Sequence, residues 1–286
     1  MPEMPEVQAL VDFLDEQLTG AVVAGVELAS FAVLKTFDPP IDSLAGLAVT
    51  GVRRHGKFVD IDVDGVHLVI HLAKAGWLRW ATQFGDKRLK MGNGPIALRL
   101  RIDRGDGPHE GFDLTEGGTR KGLAVYVVRD PQDVDGIASL GPDPFEPGFT
   151  VRPLLTRHMQ VKRLIRDQRT VAGIGNAYSD EILHAARLSP FALADTLDED
   201  EIERLDAAVQ SILREAVAEA HGKPAAELKD SKRSRMRVHG RAGQECPVCG
   251  DTVREVVYAD SSLQYCATCQ TGGKPLKDRS TSKFLK

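Results

Sequence analysis

Residues 58–65 read FVDIDVDG, and this short stretch decides the class of fold. Val59, Ile61 and Val63 alternate with other residues, which is the period-two pattern of a strand with one buried face. An Asp-Gly pair at 64–65 then supplies the residues that a tight hairpin turn favours. The stretch therefore predicts an antiparallel hairpin.

The alternation continues beyond this hairpin, and a helical pattern precedes it. Residues 96–103 repeat the period of two, with apolar residues at every second position. Near the N-terminus the apolar spacing changes to three and four, and Pro5 falls in the first turn, where a missing N–H costs nothing. The apolar residues of that helix are Val7, Leu10, Val11, Leu14 and Leu18. We expect one helix followed by an antiparallel β-sandwich or barrel.

The second half of the chain begins with a linker. Residues 140–150, LGPDPFEPGFT, contain three prolines and two glycines, which interrupt regular structure. Helical patterns follow in the 150s and early 160s, near Asn176, and from Thr196, where Thr196 and Glu199 have capping-box spacing. The sequence thus predicts an α+β protein of four parts: a β-sandwich domain over 1–135, a linker over 136–150, a helical domain over 151–235, and a cysteine-containing module with a basic tail over 236–286.

All four cysteines lie within 24 residues, as Cys246-Pro-Val-Cys249 and Cys266-Ala-Thr-Cys269. Sixteen residues separate the two pairs, a spacing at which four thiolates can close a tetrahedral zinc site. Disulfides are the alternative. A reducing compartment and the absence of any other cysteine favour zinc. With four protein ligands the metal is expected to be structural rather than catalytic.

Charge is distributed unevenly along the chain. Residues 223–286 hold 13 Lys and Arg against 7 Asp and Glu, a net charge of +6, whereas the whole chain carries −4. A basic C-terminal module can contact phosphates, although a merely solvated tail has the same composition. No stretch approaches ~20 uninterrupted apolar residues and no signal peptide is recognisable, so we expect a cytoplasmic protein without a membrane partner.

The first residues, MPEMPEV, combine a proline at position 2 with two glutamates. Removal of Met1 would leave Pro2 as a secondary amine, and an α-amino pKa of about 8 leaves an appreciable unprotonated fraction at neutral pH. Such an amine can attack a sugar aldehyde carbon and form an iminium, an electron sink for later elimination. Glu3 and Glu6 are close enough in sequence to donate or accept protons. A disordered end whose glutamates favour a helix start is the alternative for these residues alone.

Four motifs read together favour the chemical interpretation. The chain resembles the formamidopyrimidine-DNA glycosylase and endonuclease VIII family of base-excision repair enzymes in four motifs that occur in the same order. These motifs are residues 2–7, RRHGKFV at 53–59, DQRTVAGIGNAYSDEIL at 167–183 and the paired cysteines. The resemblance covers essentially the whole chain. It implies a catalytic β-sandwich domain, a helix-two-turns-helix DNA-binding domain and a C-terminal zinc β-hairpin finger.

The resemblance implies a bifunctional glycosylase and β,δ-lyase acting on damaged bases and abasic sites in double-stranded DNA. Pro2 matches the family's nucleophile, which displaces the damaged base at C1′. Glu3 matches the acid that helps to open the sugar, and Glu6 matches a carboxylate that supports the site. Lys57 matches a lysine that contacts phosphate near the lesion; an ordinary strand lysine is its alternative. The nucleotide must leave the stack, because an amine cannot reach C1′ inside a duplex.

The resemblance also implies several phosphate contacts. His71, in HLAKAG, matches a histidine that reaches the DNA backbone. Asn176 follows a Gly-Ile-Gly turn, whose glycines let a phosphate approach the N–H groups of a helix start, although a helix cap explains this turn equally well. We expect Lys162 to line the DNA side of this element and Arg241 to support the finger. The tail adds Lys274, Lys277 and Arg279.

Several family positions differ in this chain. The hairpin arginine falls at Ser261 or Ser262, and His239 stands where the family has a tyrosine. The family's methionine, arginine and phenylalanine, which fill the space left by a flipped base, are replaced by Lys74, Thr119 and Lys121. Because such filling offsets an unstacking cost of a few kcal/mol, we expect abasic or easily extruded lesions to be preferred over 8-oxoguanine opposite cytosine. The loop that holds Lys74 and Ala75, or residues 84–94, is a candidate substitute wedge.

Two other classes of function compete with a repair enzyme. One is a non-catalytic relative that binds damaged DNA and recruits other proteins, and the other is a zinc-stabilised structural protein. Pro2, Glu3 and Lys57 together argue against both, because neither class needs an N-terminal secondary amine. We expect a monomer associated with the nucleoid, with one structural zinc ion and damaged duplex DNA as its partner.

Overall fold

The computed structural model describes residues 2–277 apart from 86, 93, 106, 119, 120 and 260, with the backbone only at 229 and 230. The chain forms two compact units. The first contains Met1–Ser139 and Ala220–Lys229, and the second contains Leu140–Glu219 and Asp230–Lys286. The boundary between Ser139 and Leu140 lies inside the expected linker. No sequence pattern indicates that residues 220–229 belong to the first unit. The four-part division of the chain stays a prediction.

The first unit is a sandwich of two antiparallel four-stranded sheets with a helix at its start. Its elements are α1 (Met4–Leu18), β1 (Val22–Leu28), β2 (Val49–His55), β3 (Phe58–Val63), β4 (Val66–His71), β5 (Gly76–Ala81), β6 (Ile96–Asp103), β7 (Glu110–Glu116), β8 (Ala124–Val128) and α2 (Asp135–Ala138). One sheet has the order β1-β6-β7-β5 and the other β2-β3-β4-β8. The prediction of an antiparallel sandwich preceded by a helix is confirmed.

The decisive stretch forms the hairpin of β3 and β4. Val59, Ile61 and Val63 point into the core and are at most 1% exposed. Asp64 and Gly65 have φ angles of 52° and 81°, the positive values that a type I′ turn requires at both positions. The register pairs Val63 with Val66 across this turn. The alternation along the strand and the residues of the turn therefore specify the same hairpin.

The core of the first unit draws on three separated parts of the chain. Leu10, Leu14 and Leu18 bury one face of α1 against the strands. Leu228, far along the chain, packs in the same cluster. The indole Nε1 of Trp77 donates to the carbonyl oxygen of Ala225 at 2.9 Å, which attaches the returning segment to β5.

The second unit is mostly helical and ends in a small hairpin. Its elements are α3 (Val161–Arg166), α4 (Asn176–Ala185), α5 (Glu199–Ala220), α6 (Leu228–Arg235, which begins in the first unit), β9 (Val253–Val257), β10 (Ser262–Cys266) and α7 (Ala267–Thr271). None of the helices within the described ranges combines the length and hydropathy that crossing a bilayer requires.

Two helix predictions are corrected by the structure. The single helix expected through the 150s and early 160s is instead a short 3-10 turn at Arg152–Leu154 followed by α3. The Asp206 carboxylate accepts hydrogen bonds from the Val151 N–H at 2.6 Å and the Thr150 hydroxyl at 2.5 Å. These side-chain bonds hold the chain in an irregular path before Pro153.

The start of α5 is also two to three residues later than expected. Asp198 and Glu201 form the reciprocal cap, with the Glu201 N–H donating to Asp198 Oδ1 at 2.8 Å and the Asp198 N–H donating to Glu201 Oε2 at 3.1 Å. Thr196 instead donates its hydroxyl to the Leu193 carbonyl in a preceding 3-10 turn. Both pairs have the same spacing, and aspartate is the stronger N-cap.

Candidate functional site

The head of α1 holds two buried carboxylates. Glu3 is 3% exposed and Glu6 is 2% exposed, and Pro2 is buried just before them. Glu6 Oε2 accepts a hydrogen bond from the Glu3 N–H at 2.9 Å. The Glu6 side chain therefore fixes the backbone of the residue that follows Pro2, as the third residue of a capping box does.

Lys57 lies in the turn between β2 and β3, toward the same end of α1. The Val52 N–H donates to Asp15 Oδ1 at 2.9 Å, and Arg54 Nε donates to Gln8 Oε1 at 2.7 Å. β2 therefore runs antiparallel to α1, and the end of the strand lies near the first residues of the helix. The 8%-exposed Lys57 comes after that strand. The first unit therefore gathers its proline, its two glutamates and this lysine at one end.

His71 ends β4 and is held among apolar and charged neighbours. Its ring lies 4.7 Å from the ring of Phe58, centroid to centroid. Burial, together with the charge of Lys57, lowers the pKa of His71 to about 4. The imidazole is therefore neutral at physiological pH, and it can offer a phosphate an N–H donor but no charge.

The Gly-Ile-Gly turn before α4 is fixed by Gln168. Its Oε1 accepts from the Gly173 N–H at 2.9 Å, and its Nε2 donates to the Ile174 carbonyl at 2.7 Å. Asn176 then begins α4 and donates its amide Nδ2 to the Ser262 carbonyl at 2.8 Å. Because an amide has two N–H donors, this bond uses one and leaves the other for a ligand.

Lys162 has a different environment from the one expected of a DNA contact. Its side chain is 5% exposed, and Nζ lies 2.5 Å from Asp180 Oδ1 and 2.7 Å from the Ser179 hydroxyl. The fully buried Asp180 also accepts from His239 Nδ1 at 2.7 Å. The Lys162 ammonium thus balances a buried carboxylate, and its expected place on the DNA side of this element stays a prediction. Of Lys162, Asp180 and His239, the 28%-exposed His239 is the side chain that reaches the surface.

Glu181, next in the same motif, positions the segment that leads to the cysteines. Its carboxylate accepts three backbone N–H groups, from Arg237 at 2.8 Å and from Val238 and His239 at 2.9 Å each. Burial raises the pKa of Glu181, and the three N–H groups oppose that shift. The motif at 167–183 therefore carries structural contacts as well as the candidate DNA contact at Asn176.

The four cysteines converge as the spacing predicts. Their Sγ atoms all lie within 4.8 Å of one another, with Cys246 and Cys269 separated by 3.9 Å and Cys249 and Cys266 by 3.3 Å. Zn–S bonds of about 2.3 Å would set the sulfur atoms about 3.8 Å apart in a tetrahedron. The cysteines are free, which rules out the disulfide alternative. The module is a zinc finger with one structural zinc ion held by these thiolates.

His184 supports this zinc centre and has no signal in the sequence. Its Nε2 lies 3.3 Å from Cys246 Sγ, and the residue is 3% exposed. Burial and the charge of Arg237 lower the pKa of His184 to about 4, so the neutral ring can donate an N–H to the sulfur. Sixty-two residues separate the two partners, so local spacing cannot reveal the pair. Asp180, by contrast, lies inside a motif that the sequence already singled out.

Arg241 precedes the first cysteine pair and is partly engaged within the second unit. Its Nε donates to Gln244 Oε1 at 2.9 Å and its Nη1 donates to the Met236 carbonyl at 3.3 Å. The tail lysines Lys274 and Lys277 are exposed. The Arg241 and tail contacts with DNA stay predictions, and Arg279 lies outside the described residues.

The positions that fill the lesion space in the family are differently occupied. Lys74 is exposed, and the ammonium of Lys121 donates to the Glu116 carbonyl at 2.5 Å. That bond joins Lys121 to the last residue of β7. Thr119 lies outside the described residues.

Family models match three segments of the chain. The formamidopyrimidine-DNA glycosylase N-terminal domain matches residues 1–114, the H2TH domain of the same enzymes matches 140–226, and a zinc finger found in FPG and IleRS matches 243–272. The order of these segments agrees with the sandwich, the helical part and the cysteine hairpin. The first match ends inside β7, and the second extends into residues 220–226, which belong to the first unit.

Relatives and solved structures agree with these matches. A formamidopyrimidine-DNA glycosylase of Moorella thermoacetica is 32% identical over 271 residues, covering 90% of this chain and 94% of the relative. An uncharacterized formamidopyrimidine-DNA glycosylase-like protein of Mycobacterium tuberculosis is 58% identical over 127 residues, 44% of this chain and 80% of the relative. The crystal structure of MutM (Fpg) from Thermus thermophilus covers 96% of this chain and 100% of its own, with a TM-score of 0.77 and 30% identity.

A β-sandwich with a buried Pro-Glu head, a helical H2TH part and a four-cysteine finger define the class of zinc-finger DNA repair enzymes. This chain belongs to the formamidopyrimidine-DNA glycosylase family, whose members are bifunctional DNA glycosylases and abasic-site lyases. A Lactococcus lactis Fpg bound to DNA with an abasic site shares the fold, with a TM-score of 0.81 at 22% identity.

Proposed function

We propose that the N-terminal amine of Pro2, freed by removal of Met1, cleaves damaged bases and abasic sites from double-stranded DNA through a Schiff-base intermediate. The amine attacks C1′, the glycosidic bond breaks, and the base leaves with its bonding electrons. Opening of the sugar ring converts the resulting aminal into an iminium, which acidifies the C2′ proton. Loss of that proton expels the 3′ phosphate, a second elimination expels the 5′ phosphate, and water hydrolyses the iminium to release the sugar remnant from Pro2. The protein supplies the nucleophile and the proton transfers.

Each buried group at the head of α1 has a separate part in this proposal. Glu3, next to the nucleophile, protonates the sugar ring oxygen as the ring opens. Glu6 positions Glu3 through its hydrogen bond to the backbone. Lys57 neutralises a phosphate beside the lesion, and the neutral His71 adds an N–H donor. Asn176 and Arg241, in the second unit, contact further phosphates, which orient the duplex without reading its sequence.

The observation that carries the proposal is the burial of Glu3, Glu6 and Lys57 at one end of the sandwich. Charged residues are almost never fully buried unless they are paired or functional, because leaving water costs several kcal/mol per ion. Here three of them collect beside a proline that can become a secondary amine. A capping box gives the two glutamates a structural use, and their position beside Pro2 and Lys57 is what favours the catalytic interpretation.

The preferred substrate is an abasic site or a lesion that leaves the helix easily. Lys74 and Lys121 stand where the family inserts large side chains, and Lys121 is bonded to Glu116. Without inserted apolar side chains, extrusion of a stably stacked base loses a stabilisation of a few kcal/mol. Abasic duplex should therefore be cleaved at least about tenfold faster than 8-oxoguanine opposite cytosine, since about 1.4 kcal/mol is tenfold in rate. Comparable single-turnover rates would contradict this preference.

Borohydride trapping on an abasic-site duplex tests the nucleophile. Reduction of the iminium should give a covalent protein–DNA adduct, and the adduct should disappear both in Pro2→Gly and in a form that retains Met1. Pro5→Ala is the matched control, because it removes the other proline of the same motif and leaves the amine intact. Adduct formation by the Met1-retaining form would refute the proposal. No adduct on any abasic or oxidised duplex would favour a non-catalytic protein that binds damaged DNA.

The proposal further implies a monomer that works at the nucleoid, where its duplex substrate lies. One chain supplies every group named above.

A further inference from the structure

A second cluster of titratable side chains lies on the outer face of the β2-β3-β4-β8 sheet. Asp60, at its centre, is 1% exposed and alternates with the core residues of β3. His55 Nε2 lies 3.0 Å from Asp60 Oδ2, and His67 Nδ1 lies 2.9 Å from Asp60 Oδ1. An ionised carboxylate only accepts hydrogen bonds, so both facing nitrogens carry protons. Each imidazole keeps its second nitrogen for another ligand.

A cavity of about 400 Å³ adjoins this cluster. It is lined by both histidines, by Arg53 of β2 and by the segment after β8 that begins with Arg129. The Arg53 guanidinium makes no hydrogen bond or ion pair with any residue that the structure describes. Two guanidinium groups and two oriented imidazoles thus border one open space.

The carboxylates around the cavity already have donors. Asp60 is occupied by the two histidines. The other pairs are Asp62 with the Gly65 N–H at 3.0 Å, Asp130 with the Gln132 N–H at 2.8 Å, and Asp38 with Arg129 at 3.1 Å. The Asp38–Arg129 pair is 77% and 65% exposed, and such surface pairs contribute only about 0–1 kcal/mol, so a ligand can compete for Arg129. Arg53 and Arg129 are thus the charged donors that remain for an anion, and the Asp130 carboxylate in the lining opposes one.

We propose that this cavity binds a phosphate oxyanion through the guanidinium groups of Arg53 and Arg129, with the rings of His55 and His67 in its wall. Guanidinium groups match phosphate oxygens with paired N–H donors. Asp60 is a positioning residue, because it fixes both rings.

The occupant that we favour is a backbone phosphate of bound DNA, and this choice rests on the proposed function. His55 pairs with Phe58 and Phe58 pairs with His71 across the sheet, so the histidines of the cavity and His71 lie on the same face of the sheet, with the buried Val69 between His67 and His71. His67 precedes His71 by four residues on the same face of β4, a distance of about 13 Å. That length corresponds to about four nucleotides along the duplex axis. Inorganic phosphate has the same chemistry and is the other source.

Fluorescence anisotropy with a duplex that carries a non-cleavable abasic analogue tests the DNA source. Each phosphate contact contributes about 0.9 to the slope of log K against log salt. Arg53→Gln should reduce the slope by up to about this amount, and Arg129→Gln should do the same. Arg79→Gln is the matched control, because it removes an exposed arginine from β5 in the other sheet. It should leave the slope unchanged.

Thermal unfolding with added inorganic phosphate tests the second source and also verifies that the variants fold. A rise in Tm of the wild type that is absent in Arg53→Gln, with unchanged DNA slopes, would support a site for free phosphate. Unchanged slopes together with no effect of phosphate would overturn the proposal. Borohydride trapping reports on Pro2 separately. A protein that binds phosphate in this cavity but never traps abasic DNA would refute the proposed function and leave the oxyanion site standing.

Discussion

At the scale of single residues, this protein buries charge in two different ways. Glu3, Glu6 and Lys57 collect at the head of α1, where the proposed chemistry uses them. Lys162 and Asp180 are buried as a hydrogen-bonded ion pair that joins α3 to α4. Burial alone therefore does not distinguish catalysis from structure. The distinction comes from what each group contacts.

Replacing Lys162 should test the structural role of the buried pair. Lys162→Met leaves Asp180 charged and fully buried, which should lower the free energy of unfolding by about 3–5 kcal/mol. Arg163→Met, one residue along and exposed, should cost less than about 0.5 kcal/mol. Urea unfolding followed by far-UV circular dichroism measures both. A loss below about 1 kcal/mol for Lys162→Met would mean that the ion pair is not structural.

The titration of His71 should report the proximity of Lys57. The pKa of His71 is about 4 in the folded protein and 6.5 in the unfolded chain, so the folded state binds fewer protons between these values. The stability that this group contributes is therefore present above about pH 6.5 and is lost as pH falls toward 4. NMR titration should give the low pKa, and Lys57→Met should raise it partway, because burial is the larger cause. Lys74→Met should not. A wild-type pKa near 6.5 would contradict this environment.

At the scale of elements, local sequence signals predicted which helices and strands form more accurately than they predicted the residues at which these elements begin. The alternation at 58–65 and its Asp-Gly pair specified both strands and their turn, because a half-buried hairpin needs little more than period and turn chemistry. The helix expected from the 150s failed, since a distant carboxylate on α5, Asp206, captures the local N–H and hydroxyl groups. The start of α5 was ambiguous because two overlapping pairs had the same spacing.

The cap of α5 gives a direct comparison between the expected and the observed residue. Asp198→Ala removes the side chain that accepts the Glu201 N–H and should destabilise the protein by about 1 kcal/mol. Thr196→Ala, at the position that the sequence favoured, should cost less than about 0.5 kcal/mol. Thermal or urea unfolding of the two variants measures the difference. Equal losses would mean that the helix starts earlier than the structure indicates.

Zinc removal should unfold the cysteine hairpin without unfolding the sandwich. The cysteine end of the hairpin packs Val238, Cys246, Val253 and Cys266 in one buried cluster, and half of these residues are metal ligands. Chelation should therefore abolish DNA affinity and disorder the hairpin. Both tryptophans, Trp77 and Trp80, are in the first unit, so their fluorescence should remain native.

Two controls complete the zinc experiment. Added zinc should restore DNA affinity, and Cys266→Ser should resemble the chelated protein. Unchanged DNA binding after verified loss of the metal would contradict the assigned role.

At the scale of the whole molecule, the sequence indicated the family and the order of its parts but not how the chain is shared between the two units. The zinc ligands follow from spacing alone, because CxxC turns are self-contained. The contacts His184–Cys246 and His55–Asp60–His67 could not be predicted, since they need the register of strands and helices that tertiary packing decides. The packing of residues 220–229 in the first unit is likewise decided by tertiary structure. No local pattern marks it.

Leu228→Ala should therefore destabilise the sandwich although the residue lies only eighteen positions before the first zinc ligand. Leu228 is 1% exposed in the core of the first unit, so the loss should be about 2–5 kcal/mol in the transition that tryptophan fluorescence follows. Leu213→Ala, fully buried in the second unit, should leave that transition unchanged. Equal shifts for both variants would show that the two units unfold as one.

The Trp77–Ala225 hydrogen bond also has a consequence for synthesis. During translation the strands emerge first, yet the segment that completes their core leaves the ribosome only after α5 has been made. The core of the nascent sandwich therefore stays incompletely covered until Leu228 has emerged from the ribosome. Codon changes that slow elongation between residues 139 and 228 should therefore prolong the interval in which the nascent chain is sensitive to protease.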